Sequence, residues 1–556
     1  MQLAQTDSPS HRKARGAFFT PEEIAEFIVQ WAVRRPTDRV LEPSCGEAAF
    51  LLPAGKQLKQ LGATAGDLAG QLHGQDIHPA SVQAAASLLA ASNCTASLQT
   101  GDFFSRRSEP RFDVVIGNPP YVRYQNFSGA SRALALEAAL RQGVRLNGLS
   151  SSWAAFTVHA ASFLKPGGRL GLVLPAELLS VQYAAQVRTF LLKRFGSVRL
   201  VLFDNLVFPG VLEDVVLLLA EGQGGASHFE VYQAKDAPDL KSRAPAQWTG
   251  FKPQGAHKWT SALLPAGAME LYEEVAACHG FEVMADWGST YLGAVTGNNK
   301  YFALTKDDVR TLGLQASELT RVSPPGSRHL RGLTFSEHAW KMQAEQGDRC
   351  YLFSPPNSSS LSAAAKRYIS QGEREGVNEA YKCRVRAPWW KVPLVQRPDF
   401  FFTYMNHDRP RLVRNGAGVQ LLNSVYGLRL HAVRQKLGEE LLAIAALNSM
   451  TLLGSEVVGR AYGGGMLKHE PTEVAMLPMP SEAALEAVRP SLLKEANRIS
   501  AAIRCNDLTS AVDLVDQLIL QDQLGLTRDK VDALRTGRAA LLQRRMTRAK
   551  GSNGSD

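Results

Sequence analysis

Along roughly the first 220 residues, short apolar runs alternate with stretches whose apolar positions recur three and four apart. The runs have the size of buried strands and the stretches have the period of amphipathic helices. That alternation predicts an open parallel sheet covered by helices. Pro21 to Val33 reads as a helix, with Thr20 as its N-cap and Ile24, Phe27, Ile28 and Trp31 on one face. Strands are expected at Arg39 to Leu41, Gln71 to Ile77, Ala96 to Thr100, Phe112 to Ile116, Arg169 to Leu174, Val198 to Phe203 and Val215 to Ala220. Helices are expected up to Lys59, from Ala80 to Ala91 and from Trp153 to Leu164, with a turn at Pro166-Gly167-Gly168.

After Glu221 the texture changes. Gly222 to Ser227 is small and polar and reads as a linker. From 228 to 480, strand-like, aromatic and basic stretches mix with loops, the pattern of a mixed α+β domain. From 481 to 550 the chain reads as helical, ending in Arg535, Arg538, Arg544, Arg545, Arg548 and Lys550. Three regions are therefore expected: 1–222, 228–480 and 481–550.

Composition adds limits. Hydrophobic residues make up 45% and charged residues 21% of the 556 residues, close to the average for a globular protein. No apolar run approaches the ~18–20 residues of a membrane span, and the polar Met1 to Arg15 has no signal-peptide core. A cytoplasmic protein is expected. The formal net charge of +10 suggests a polyanionic partner. The six cysteines form no Cys-x-x-Cys pair and have no histidine at zinc spacing, so they read as reduced thiols and no metal site is expected.

Ligands of an open parallel sheet bind in the loops that follow its strands. Four such loops carry unusual residues. Glu42-Pro43-Ser44-Cys45-Gly46-Glu47-Ala48-Ala49-Phe50 is a small-residue turn that lets a ligand approach the backbone. Asp76 ends the second strand, where a carboxylate can accept from both ribose hydroxyls or, more simply, cap the next helix. Asp102-Phe103 ends the third, as an acceptor beside an aromatic face or as an ordinary turn. Asn118-Pro119-Pro120-Tyr121 ends the fourth. Its two prolines fix φ and remove two donors, so the Asn118 side-chain oxygen and the Pro119 carbonyl can act as a rigid pair of acceptors for a planar NH2 group. Tyr121 adds a flat face for stacking.

With these loops in this order the chain resembles the adenine-N6 DNA methyltransferases in their gamma arrangement. Gly16-Ala17-Phe18-Phe19-Thr20-Pro21 matches the family's N-terminal loop and helix start, Glu42 to Phe50 its cofactor loop, and Val207-Phe208-Pro209 a later loop whose ring packs on the extruded base. Tyr462 to Lys468 with Leu477-Pro478-Met479-Pro480 resembles a segment near the end of the recognition domain, and Thr296 to Phe302 a loop at its start. The family's second cofactor-loop glycine is replaced by Ala48, and its frequent glutamate at the ribose by Asp76.

The resemblance implies a Rossmann-like class I methyltransferase sheet with helices on both faces, followed by a target-recognition domain and a helical C-terminal region. It implies S-adenosyl-L-methionine as cofactor, bound by Thr20, Glu42, Pro43, Cys45, Gly46, Asp76, Ile77, Asp102, Phe103 and Asn118. Asn118, Pro119, Pro120, Tyr121 and Phe208 would act on a flipped adenine of double-stranded DNA, in a restriction-modification or defence setting, with or without a separate cognate endonuclease. Recognition candidates are Lys382, Arg384, Arg386, Trp389, Trp390, Lys391, Arg397, Arg409, Arg411 and Arg414. The alternatives are a methyltransferase of RNA or of a protein glutamine, a silent DNA-binding subunit, and a fused restriction-and-modification enzyme, for which no acidic-acidic-Lys nuclease constellation is found. The ~330 residues of further domain weigh against the first, and intact Asp76, Asp102, Asn118 and Tyr121 against the second. No Pro-Cys pair lies near the fourth strand for cytosine-C5 chemistry, and no phosphate-binding Gly-Lys loop is present for an ATP motor.

Overall fold

The computed structural model describes residues 20–204, 207–208, 215–242, 248–252, 258–265, 267–356 and 361–550. The chain forms two compact units, Met1–Leu263 with Met546–Asp556, and Leu264–Arg545.

Unit 1 is built on a nine-stranded sheet. Its strands are β1 (Val40–Glu42), β2 (Leu72–Asp76), β3 (Ser97–Thr100), β4 (Phe112–Gly117), β5 (Leu164–Pro175), β6 (Ser197–Phe203), β7 (Val215–Glu221), β8 (Phe229–Ala234) and β9 (Thr249–Phe251), in the order β3-β2-β1-β4-β5-β7-β6-β8-β9. All six residues of β4 are buried, as are the last eight of β5, so the middle of the sheet is covered on both faces. The covering helices include α1 (Glu22–Ala32), α2 (Leu51–Gln60), α3 (Pro79–Ala91), α4 (Gly129–Arg141) and α5 (Ser152–Ala161). This is the expected α/β architecture, and the seven expected strands lie within a few residues of their expected places.

Three features differ from expectation. First, the sheet is mixed: β7 runs antiparallel to both β5 and β6. The 204–214 connection is too short for the helical crossover that a parallel neighbour requires. Second, Gly222 to Ser227 is a turn inside the sheet rather than a linker. Gly222, Gly224 and Gly225 have φ of 78°, 100° and 81°, which reverses the chain into β8. The sheet thus continues past residue 222, with β8 parallel to β6 and β9 antiparallel to β8. Third, Thr20 caps no helix. The N-cap position of α1 is Pro21, with no side-chain cap bond, and the Thr20 hydroxyl is used elsewhere.

The end of the sheet where β1, β4 and β5 begin is held by charge. Asp38, fully buried, pairs with Arg35 at 2.9 Å and Arg169 at 2.8 Å, and Asp113 pairs with Arg35 at 3.0 Å and Lys165 at 2.9 Å.

Unit 2 is the expected α+β mixture. Its four-stranded antiparallel sheet places Gly288–Leu292, Tyr426–Leu430, Phe400–Phe402 and Leu412–Arg414 side by side. The helices Glu482–Arg504 and Leu508–Asp516 belong to this same unit and are not a third body. Buried polar bonds explain the attachment: Asp516 accepts from Ser449 N at 2.7 Å and pairs with Arg535 at 2.7 Å, and Arg545 pairs with Glu456 at 2.8 Å.

Candidate active site

In the sheet order β3-β2-β1-β4, the four candidate loops leave four adjacent strands at the same end, because these strands are parallel. Hydrogen bonds then tie the loops together. Asp76 accepts from Gly46 N through Oδ2 at 3.0 Å and from His78 N through Oδ1 at 2.9 Å. The Ser44 hydroxyl donates to the Asn118 carbonyl at 3.0 Å. The Asn118 side-chain Nδ2 donates to Thr20 Oγ1 at 3.2 Å, which orients the amide and joins the tetrapeptide to the start of α1. Gly16 to Phe19 lie outside the described residues.

The first loop divides between surface and interior. Gly46 has φ +48°, and a Cβ built on it would meet nothing within 4 Å, so this backbone borders open space. Ala48, at the position of the family's second glycine, is fully buried with φ 67°. Glu42, expected as a cofactor contact, is 1% exposed, and its two oxygens accept from Phe50 N at 3.3 Å and Leu51 N at 2.9 Å. It braces the loop onto the first turn of α2. Burial, then the nearby Asp76 charge, hold its carboxyl well above the usual range. Pro43 is buried too. Cys45 is buried with its thiol against Gly74, and burial pushes that thiol up, so it is a packing group and not a nucleophile.

Around the next two strands, Ile77 is 55% exposed beside Asp76, an apolar surface next to a carboxylate. Asp102 accepts from Phe104 N at 2.9 Å and from the Ser131 hydroxyl at 2.7 Å. The Phe103 ring is only 5% exposed and is enclosed by Phe156, His159 and Phe163 at centroid distances of 4.9, 4.6 and 5.2 Å. Its aromatic face belongs to the core of unit 1. His159 is drawn into that cluster through its bond with the Phe103 carbonyl, and burial lowers it to about 4.

The tetrapeptide is held from below by a residue the sequence did not single out. The Ser152 hydroxyl donates to the Pro120 carbonyl and accepts from Val122 N at 2.9 Å, while Ser152 N donates to Val122 O at 3.0 Å. Tyr121, lying between those two carbonyls, donates from its hydroxyl to Val173 O on β5 at 3.0 Å. Beside this strap, Trp153 Nε1 donates to Glu177 Oε2 at 3.3 Å, and Tyr183 donates to the same oxygen at 2.5 Å. A serine at a helix start reads as an N-cap, so only the three-dimensional path of the tetrapeptide distinguishes Ser152. Phe208 is 3% exposed, in the connection after β6, and its neighbour Pro209 lies outside the described residues.

In unit 2 the structure sorts the recognition candidates. Trp390 is a core residue, and the Trp389 indole donates to Glu373 at 3.1 Å. Arg386 donates to Thr296 O at 2.8 Å, Arg411 pairs with Asp408 at 2.9 Å and Arg414 with Glu439 at 3.1 Å. Arg409 is buried, which lowers it to about 10. Lys382, Arg384, Lys391 and Arg397 remain exposed. Of the C-terminal arginines, Arg535 and Arg545 are committed to the internal pairs described above. Tyr462 and Lys468 lie on paired strands, Arg460–Tyr462 and Met466–Lys468, and Pro478–Pro480 pairs with Phe281–Val283.

Comparison with known proteins agrees with these two units. A family model described as N-6 DNA Methylase matches residues 2–225, and one described as the C-terminal domain of the Type II methyltransferase M.Eco57I matches residues 256–520. The Type II methyltransferase M.AccI of Acinetobacter calcoaceticus is 22% identical over 477 residues, covering 84% of this chain and 85% of that protein. M.XamI of Xanthomonas campestris pv. amaranthicola is 23% identical over 497 residues, covering 86% and 88%. Among solved structures, the Type IIL restriction-modification enzyme MmeI in complex with DNA aligns with a TM-score of 0.58 at 11% identity, over 96% of this chain and 80% of that one, which is a likeness of fold.

Proposed function

We propose, for a chain that belongs to the DNA methyltransferases of restriction-modification systems, that it methylates the N6 amine of adenine in double-stranded DNA with S-adenosyl-L-methionine as donor. The observation that carries this reading is the tethering of Asn118-Pro119-Pro120-Tyr121 to Thr20 and Ser44, beside the Asp76 and Asp102 strand ends. The donor fits the residues present: open backbone at Gly46, a carboxylate at Asp76 and an exposed apolar side chain at Ile77 are what a sugar, a charged tail and an adenine ring need. When bound, S-adenosylmethionine supplies an electrophilic sulfonium methyl.

The chain's own residues do the rest. Asn118 Oδ1 and the Pro119 carbonyl accept the two N–H bonds of the target amine. This draws electron density onto its nitrogen and fixes the direction of attack. Those same two acceptors would stabilise the positive charge that builds on the amine nitrogen as it takes the methyl group, and the surplus proton would pass to solvent. Adenine reaches them only when flipped from the duplex, at a cost of a few kcal/mol that stacking on Tyr121 offsets by about 1–3 kcal/mol. Tyr121, bonded to Val173, is 9% exposed and Phe208 3%, so each ring must be uncovered before it can stack. Unit 2 reads the DNA sequence.

The test is Asn118→Ala. The variant is expected to bind S-adenosylmethionine and duplex DNA as the parent does and to lose methyl transfer, while sequencing of DNA from cells expressing the parent shows N6-methyladenine at one motif. Near-normal turnover of the variant, or methylation found only on RNA or protein, overturns the reading.

A further inference from the structure

We infer that residues 381–397 of unit 2 form a preformed ledge that docks the sugar-phosphate backbone of duplex DNA, with Lys382, Arg384, Lys391 and Arg397 as its phosphate contacts. The inference rests on the DNA substrate proposed above and goes further by naming the surface.

The stretch contains five cationic residues and no carboxylate. Its underside is fixed. Arg386 donates to the carbonyls of Val295 and Thr296, the Cys383 thiol donates to Thr296 O at 3.7 Å, and Trp390 and Val392 are each 5% exposed within a core cluster. Lys382, Arg384, Lys391 and Arg397 are exposed, and none of the four makes an ion pair among the described residues. Nearby arginines of the same unit behave differently: Arg411, Arg414 and Arg429 are each matched by a carboxylate within about 3 Å. Exposed cations without a carboxylate partner keep their charge for an outside anion.

The apolar side chains narrow the choice of anion. Tyr381 is 65% exposed and Val385 62% exposed, and the Lys382 ammonium lies 5.5 Å from the centre of the Tyr381 ring. A cation beside a flat ring suits a partner that alternates charge with apolar carbon at short intervals, as phosphate and deoxyribose do. Contacts of this kind carry no sequence information, so the ledge sets affinity and register and leaves base reading to other residues.

The experiment measures binding of a fluorescent duplex to the full-length chain over a series of KCl concentrations, for the parent and for the triple variant Lys382→Ala, Arg384→Ala, Lys391→Ala. All three side chains are exposed, so the fold should tolerate the change, and matching thermal melts check it. Each lost phosphate contact should reduce the slope of log K against log salt by about 0.9, giving a total drop of about 2–3 that is equal for cognate and unrelated duplexes. Lys341→Ala, which removes a cation already paired with Glu337, should leave the slope unchanged. A triple variant with the parental slope overturns the ledge while leaving the methyltransferase reading intact. A parental slope together with lost binding of an acidic protein overturns it in favour of a protein interface. A parent that binds no duplex overturns both readings.

Discussion

Replacing Ser152 by alanine removes one hydroxyl and two of the three hydrogen bonds that Ser152 makes to the backbone at Pro120 and Val122. Ser152 is 2% exposed, so no water takes over the bonds, and the partly buried Val122 N–H is left without its acceptor at 2.9 Å. Each hydrogen bond contributes about 1 kcal/mol net, so the strap loses about 2 kcal/mol. If that energy holds the acceptor pair in the geometry of the transition state, kcat falls by about 30-fold, since ~1.4 kcal/mol is a factor of ten. Ser152 touches neither the Gly46 backbone nor Asp76, so cofactor affinity should stay within about twofold of the parent. Single-turnover transfer of a labelled methyl group, with cofactor titration in parallel, separates the two quantities. Ser152→Thr keeps the hydroxyl and should recover part of the rate, which a loss caused only by weakened packing would not do. An alanine variant with unchanged single-turnover rate, or one that alters cofactor affinity alone, refutes the positioning role.

Two further expectations concern stability. Ala48, buried at φ 67°, occupies a region that costs a non-glycine residue about 1–2 kcal/mol, so Ala48→Gly should be tolerated within about 1 kcal/mol, whereas β-branched Ala48→Val should destabilise by more than about 2 kcal/mol in denaturant melts; equal effects would show that the backbone there is unstrained. His159 is lowered from 6.5 to about 4 by burial, so between those values the folded chain binds fewer protons than the unfolded chain and acid favours unfolding. Its contribution is intact above about pH 6.5 and falls by up to about 3 kcal/mol as the pH drops to 4. Thermal melts of His159→Gln should therefore lose stability less steeply than the parent over that interval, and parallel pH curves would count against the assignment.

What the sequence disclosed followed its periodicity. Strands β1 to β5 and the four loops after β1 to β4 were legible because apolar runs and strand-ending acidic or proline residues both leave local marks. The direction of β7 was not legible, because it depends on the connection at 204–214 and not on the strand's own pattern. Gly222, Gly224 and Gly225 resemble a linker in composition, and only their positive φ values identify a tight reversal. Side-chain type also says nothing about whether a group is already engaged. Glu42 and Phe103 have the expected chemistry for a cofactor loop, yet one braces α2 and the other fills an aromatic cluster. The same holds for Arg386 and Arg414, whose guanidinium groups meet partners more than twenty residues away in sequence. Ser152 was missed for the opposite reason: it is an ordinary residue whose importance comes from what lies over it.

The continuation of the sheet through β8 and β9 sets where the catalytic fold can be divided. Strand β6 carries Leu200, Val201, Leu202 and Phe203, all buried, and its outer row of backbone donors and acceptors is satisfied by β8. A fragment ending at residue 222 would retain every candidate loop of the active site and still present that row bare, as an apolar template for a second chain. Its failure would appear as self-association and not as defective chemistry. Phe229, Phe251 and Trp259, with Phe229 4.7 Å from Phe251 and 4.2 Å from Trp259 between ring centroids, therefore serve the methyl-transfer fold without approaching its substrate: they keep its sheet from recruiting a neighbour.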